Sequence, residues 1–288
     1  MTISTPSKDG ADSTLRLYIS ADIEGVAGVV SRDNLMPGRF EYEQARDWMT
    51  ATVLAACETA HELGATEIVV SDSHGNGQNI RYELMPNYVR LVRSWPRPLG
   101  MMEGIDIGTY AGVFLLGYHA GASNPGGTLA HTLSGELFQE IRLNGFTVSE
   151  AGISAAIAGH FGVPVLLMTG DDVAVAETTE LLGDLSTACV KTSLGFLSAT
   201  NASPADADKA LRDGVRNAMA RIGSKAPFVL EGPIEIEIRL RTRFIAEWIA
   251  YLSDVERLDA FTIRHVAPDM VHASRFLQFL TSARGVLG

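Results

Sequence analysis

Residues 15–25, reading LRLYISADIEG, constrain this chain more than any other stretch. The first half is a run of large apolar residues broken only by Arg16 and Ser20, which predicts a buried strand. The second half places Asp22 and Glu24 two residues apart. In an extended chain, side chains at i and i+2 point to the same side. Two carboxylates projected together from the end of a buried strand repel each other, and something positive is needed between them. A metal ion is the expectation, and its remaining ligands have to come from elsewhere in the chain.

The pattern downstream is that of an α/β protein. A loop follows over 25–40, then apolar residues every three or four positions predict a helix over 42–63, with Gly64 ending it. Residues 67–71, EIVVS, read as a second short strand, so the first two strands are expected to lie parallel around the helix. That strand runs into Asp72-Ser73-His74-Gly75-Asn76-Gly77. Residues 80–98 give no clear assignment. A third apolar strand over 111–116 runs into Gly117-Tyr118-His119, and a glycine-rich loop over 122–131 ends in His131. A hairpin is expected at Asn144-Gly145, between 137–143 and 146–148. A helix over 150–161 with Ser149 as N-cap, a core strand over 164–168, a helix over 173–182 capped by Asp171-Asp172, and a strand over 188–192 follow.

Beyond residue 200 the texture changes. Ser203-Pro204 opens a helix over 205–222, and residues 234–240, IEIEIRL, alternate strictly, as a strand with one apolar and one charged face does. Helices over 244–252 and 268–283 flank a strand over 261–265. The expected fold class is α/β, a mostly parallel sheet flanked by helices, with a smaller α+β C-terminal subdomain. The expected domains are a disordered polar tail over 1–14, a metal-binding catalytic domain over 15–200 and the subdomain over 201–288.

Composition excludes some function classes. A net charge of −11 argues against nucleic acid as a partner, since neutralising phosphates takes clustered Lys and Arg. No apolar run approaches the roughly 18 residues that span a bilayer, so no membrane is expected and the location is read as cytoplasmic. Cys57 and Cys189 lack the spacing of a thiolate metal site and are expected to be small buried hydrophobes.

Three strands thus end in chemistry of one kind: Asp22 with Glu24, then His74, then His119. Three of the seven histidines fall at these strand ends or in the loop that follows. Open C-terminal strand ends are where parallel sheets build sites. Carboxylates with imidazoles suit zinc or another first-row divalent ion. The set exceeds what one catalytic zinc takes, and two ions about 3.5–4 Å apart fit it better. Asp72 is expected to bind the turn amides that follow it, or to support a ligand histidine, rather than a metal. His61, His160, His265 and His272 have ordinary surface or capping readings, and Gly75-Asn76-Gly77 lacks the lysine of a phosphate loop.

The motifs SADIEG at 20–25, SDSHG at 71–75, LGYHA at 116–120, His131 and SEAG at 149–152 together resemble the D-aminopeptidase family of zinc metallopeptidases associated with dipeptide-transport operons. The resemblance runs in order from residue 15 to about 172 and more loosely to the C-terminus. It implies two Zn2+ ions per chain, with Asp22 bridging them, Glu24 and His74 completing one site and His119 and Glu150 the other. From the residues alone, Glu150 reads as a first-turn acid of its helix. The resemblance further implies His131 as the catalytic histidine, short peptide substrates with D-configured N-terminal residues, and a homo-oligomer, a decamer of two stacked five-membered rings. Two other functions fit similar ligands. One is a dinuclear hydrolase of a phosphoester or cyclic amide, against which the site loops carry almost no Arg or Lys. The other is a non-catalytic metal- or peptide-binding module, which has no need of a spare histidine.

Overall fold

The structure, a computed structural model, describes residues 14–283; the tail expected over 1–14 lies outside them except for its last residue. Its main sheet has seven strands in the order β3-β2-β1-β4-β7-β8-β9. These are β1 (Arg16–Ala21), β2 (Glu67–Asp72), β3 (Val89–Val92), β4 (Val113–Tyr118), β7 (Val165–Asp171), β8 (Ser186–Gly195) and β9 (Ser198–Asn201). All pair in parallel except β8 with β9. The α/β expectation is met. The unassigned region over 80–98 supplies β3 at the sheet edge, too short and too exposed to show a period. β9 likewise escaped the sequence, since its four residues are polar or small.

The helix α1 (Tyr42–Glu62) connects β1 to β2, and Gly64 past its end takes a left-handed φ of 104°. With α4 (Pro204–Met219) it covers one face of the sheet, burying Val53 and Ala56 against Leu17, Ile19 and Phe114. The other face meets α2 (Glu150–His160) and α3 (Asp172–Leu182). Asp171 caps α3 by accepting the Ala174 N–H, and Ser203 caps α4, both as expected. Ser149 stands at the N-cap of α2, but its hydroxyl makes no capping bond. Cys57 is buried, whereas Cys189 is exposed: β8 alternates there, and Ala188 and Val190 take the inward positions.

A second, antiparallel sheet has the order β11-β12-β10-β5-β6. It joins β5 (Phe138–Leu143) and β6 (Phe146–Thr147) to β10 (Ile234–Leu240), β11 (Val255–Arg257) and β12 (Thr262–Ala267), with α5 (Arg243–Ile249) and α6 (Met270–Ser282). Asn144 and Gly145, at φ 47° and 82°, make the expected turn between β5 and β6. In β10, Ile234, Ile236, Ile238 and Leu240 are buried while Arg239 faces out. The boundary expected near residue 200 does not follow the sheets. β5, before it, pairs with β10, after it, and α4 packs on the main sheet. One apolar cluster runs from Tyr18, Leu115 and Met168 through Ile153 and Ile157 to Ile236 and Ile238, so the two sheets share a core. Among the described residues no helix is long and apolar enough to cross a membrane.

Candidate metal centre

Because β1, β2 and β4 are parallel neighbours, their C-terminal ends open side by side. The chain leaving β1 crosses the end of β4: Asp22 N–H donates to the Leu116 carbonyl and Gly25 N–H to the Gly117 carbonyl. Two glycines permit this crossing. A Cβ on Gly25 would sit 2.0 Å from the Tyr118 carbonyl oxygen, and one on Gly117, at φ 67°, 2.3 Å from the Asp22 carbonyl oxygen. The glycines of the SADIEG and LGYHA motifs are therefore what lets Asp22, Glu24 and His119 converge.

All six residues singled out from the sequence meet in one cluster. Asp22 and Glu24 are each 2% exposed, and His74, His119 and Glu150 are buried. His74 Nδ1 lies 3.0 Å from Glu24 Oε2 and 3.3 Å from Asp22 Oδ1. His119 Nε2 lies 3.4 Å from both Asp22 Oδ2 and Glu150 Oε1. Glu150, in the first turn of α2, reaches the cluster from the helix layer and accepts the Leu133 N–H at 2.7 Å. His131 stacks on His119 with ring centres 4.1 Å apart, and its Nε2 lies 3.7 Å from Glu150 and 3.9 Å from Glu24. With 24% of its side chain exposed, it is the member of the set most open to a substrate.

Each imidazole is turned by a backbone carbonyl. His74 Nε2–H donates to Leu35, His119 Nδ1–H to Ala120 and His131 Nδ1–H to Leu129. These bonds direct the opposite ring nitrogen of all three inward, which is how proteins orient ligand histidines. Asp72 stays out of the cluster, as expected: it accepts from the Asn79 and Ile80 amides and from the Asn79 side chain, which in turn donates to the His74 carbonyl.

The electrostatics are those of buried acids seeking positive charge. Burial, then the adjacent Glu24, pushes Asp22 up to about 7. Burial also works to raise Glu24 and Glu150, but His74 holds Glu24 well below the usual carboxylate range, and His119 lowers Glu150. Burial works against charge on His119, yet Glu150 and the other acids lift it to about 10; Glu24 and Asp22 raise His74 in the same way. His131 is shifted downward by burial and by His119.

The donor set fits divalent cations. Among the described residues Asp22 Oδ2 and His119 Nε2 are buried without any hydrogen-bond partner, and they face each other. Such groups are costly unless a ligand satisfies them. Three overlapping groups have donor atoms within 4.8 Å of one another: Asp22, Glu24 and His74; Asp22, His119 and Glu150; and Glu24, His119 and His131. Asp22 belongs to the first two, so one carboxylate can serve two ions.

Sequence reasoning missed Lys191 and the anchoring of the His131 loop. The Lys191 ammonium, which burial pulls down to about 8, donates to backbone carbonyls beside Glu24. A lysine between Val190 and Thr192 in a strand was the available signal. Asp171 Oδ2 accepts the Thr128 N–H at 2.9 Å and so ties that loop to the end of β7. No local pattern marks this second use of a helix cap.

A family model described as D-aminopeptidase matches residues 15–279. The D-aminopeptidase of Bacillus subtilis (strain 168) is 30% identical over 268 residues, covering 93% of this chain and 97% of that protein. A solved structure of the Zn-dependent D-aminopeptidase DppA from Bacillus subtilis, described as a self-compartmentalizing protease, has a TM-score of 0.89 at 29% identity. That match covers 94% of this chain and 98% of the other. Fold, motif order and the buried cluster agree with these likenesses: the chain belongs to the D-aminopeptidase family.

Proposed function

We propose that the chain is a zinc-dependent aminopeptidase that removes an N-terminal, D-configured residue from short peptides. The observation that carries this reading is the sharing of Asp22 between two buried donor groups, in a chain whose solved relative is Zn-dependent. Asp22, Glu24 and His74 would hold one ion, and Asp22, His119 and Glu150 the other. Bound zinc supplies Lewis acidity, which lowers the pKa of a water toward about 7 and polarises a carbonyl oxygen.

The side chains supply the rest. The carbonyls of Leu35 and Ala120 keep His74 and His119 in the tautomers that aim a lone pair inward. Glu150 is fixed by the Leu133 N–H. His131 stands outside both groups in this assignment. Burial shifts its pKa downward, Nδ1–H is held by Leu129, and Nε2 is left to take up a proton. It can pass that proton to the leaving amine. A homo-oligomer belongs to the same proposal, supported by the self-compartmentalizing relative, and so do its decameric form and a cytoplasmic location.

Matched L- and D-aminoacyl anilides, assayed with and without a chelator, test the reading. Chelator-sensitive cleavage of the D series supports it. Metal-independent turnover, or turnover of the L series alone, overturns it.

A further inference from the structure

Lys191 is a buried cation for which the reaction has no evident use. It is 3% exposed and leaves β8 opposite Asp171. Its Nζ donates to the carbonyl oxygens of Glu24, of Val26 at 3.1 Å and of Val29 at 2.6 Å. Those three bonds occupy all three ammonium hydrogens. Among the described residues it forms no ion pair with a carboxylate. Burying an ammonium in this way is costly, and the cost is offset by these three bonds and by the nearby Asp171, Glu24 and Asp22 carboxylates.

What it organises is the backbone from Glu24 to Val29, the loop that carries one of the two converging carboxylates. Val26 and Val29 are buried in the core, and their N–H groups bond the carbonyls of Ile23 and Val26, but among the described residues no side chain besides Lys191 gathers the loop's carbonyls. Gly25 N–H reaches the Gly117 carbonyl, and Gly28 N–H reaches the Asn201 side chain at 2.8 Å. On its far side the loop faces a cavity of about 370 Å³ between α1 and α4, lined by Gly25, Val26, Gly28, Trp48 and Leu211 among others. There the Trp48 ring packs against Gly28, 2.9 Å from where a Cβ would sit. A methylene stem alone would fill the Lys191 site, but only an ammonium draws three carbonyl oxygens to one point.

We propose that Lys191 is a positioning residue for the metal centre: by gathering the carbonyls of Glu24, Val26 and Val29, it holds the Glu24 carboxylate in one donor group with Asp22 and His74. The inference rests on the dinuclear reading above. Lys191→Met keeps the stem and removes the donors, and stepwise zinc titration by chelator competition reads both affinities. The ion held through Glu24 is expected to weaken roughly 10–100-fold, while the ion held through His119 and Glu150 changes little. A merely structural role would lower thermal stability without separating the two affinities. Wild-type protein that binds no zinc overturns the dinuclear reading and this inference together. Wild type binding two ions, with Lys191→Met binding both as tightly, overturns this inference alone. If the variant does not fold, the wild type still decides, because the chain has four lysines and Lys191 is the one within β8. In a ¹⁵N-lysine spectrum its ammonium signal is expected to exchange slowly and to shift when zinc is added. A signal unmoved by zinc overturns the proposal.

Discussion

Oδ2 of Asp22 and Nε2 of His119 lie 3.4 Å apart, both buried and neither with a hydrogen-bond partner among the described residues. The Nδ1–H of His119 is already donated to Ala120, so a neutral ring presents its lone pair to a carboxylate lone pair. Two acceptors in contact need a positive species between them, a proton or a metal ion. The same oxygens and nitrogens that strain for protons are thus suited to share cations.

Asp22 and Glu24 are expected to differ in what they hold. Asp22→Ala should reduce metal content from about two equivalents per chain to near zero, while Glu24→Ala should lose mainly one. Metal analysis of the purified variants is the check. Loss of a single ion in both variants would contradict the sharing of Asp22.

His131→Ala should leave metal content nearly intact and lower kcat by roughly 10²–10⁴-fold. His131 also falls within a possible donor group with Glu24 and His119. Loss of an ion with the imidazole would make it a ligand instead, and an unchanged rate would remove it from the chemistry.

Chelation should destabilise the fold as well as stop turnover, because it leaves three buried carboxylates without their cations. At free zinc about 100 times the dissociation constant, one bound ion stabilises by roughly 2.7 kcal/mol. Melting curves with chelator and after zinc is restored measure this. A melting temperature indifferent to metal would count against a buried centre.

Gly117→Ala should damage the centre from a distance. The new methyl would meet the Asp22 carbonyl oxygen at 2.3 Å, on a residue whose φ is 67°. Strain of about 1–3 kcal/mol is expected, with a lower melting temperature and weaker zinc binding together. A variant with wild-type zinc affinity would show that the crossing of β1 over β4 tolerates displacement.

Light scattering checks the assembly. A mass several times the 30.9 kDa of the chain is expected at working concentration. A monomer that is fully active on peptides would remove self-compartmentalization from the proposal.

Local pattern was enough for the parts of this protein that local physics governs. The βαβ succession and the polar ends of the strands before Asp22, His74 and His119 follow from strand geometry and helix period, and each is legible within about ten residues. Asp22 and Glu24 lie past the end of β1, Glu24 in a turn, so their convergence comes from the crossing over β4 and not from an extended i, i+2 spacing. Tertiary structure alone decided the rest. By local pattern Glu150 looks like any first-turn acid; the family resemblance of SEAG singles it out, and only the fold shows how α2 carries it onto the open ends of β1 and β4. β5 shows its hairpin in the sequence but not its pairing with β10, since that register depends on residues about a hundred positions away. Lys191 becomes part of the site only because β8 lies two strands from β4, near enough for its ammonium to reach the loop after Glu24. Buried charge is the common reason: what satisfies it is a matter of which distant groups the fold brings within hydrogen-bond distance, and a one-dimensional pattern carries no such distances.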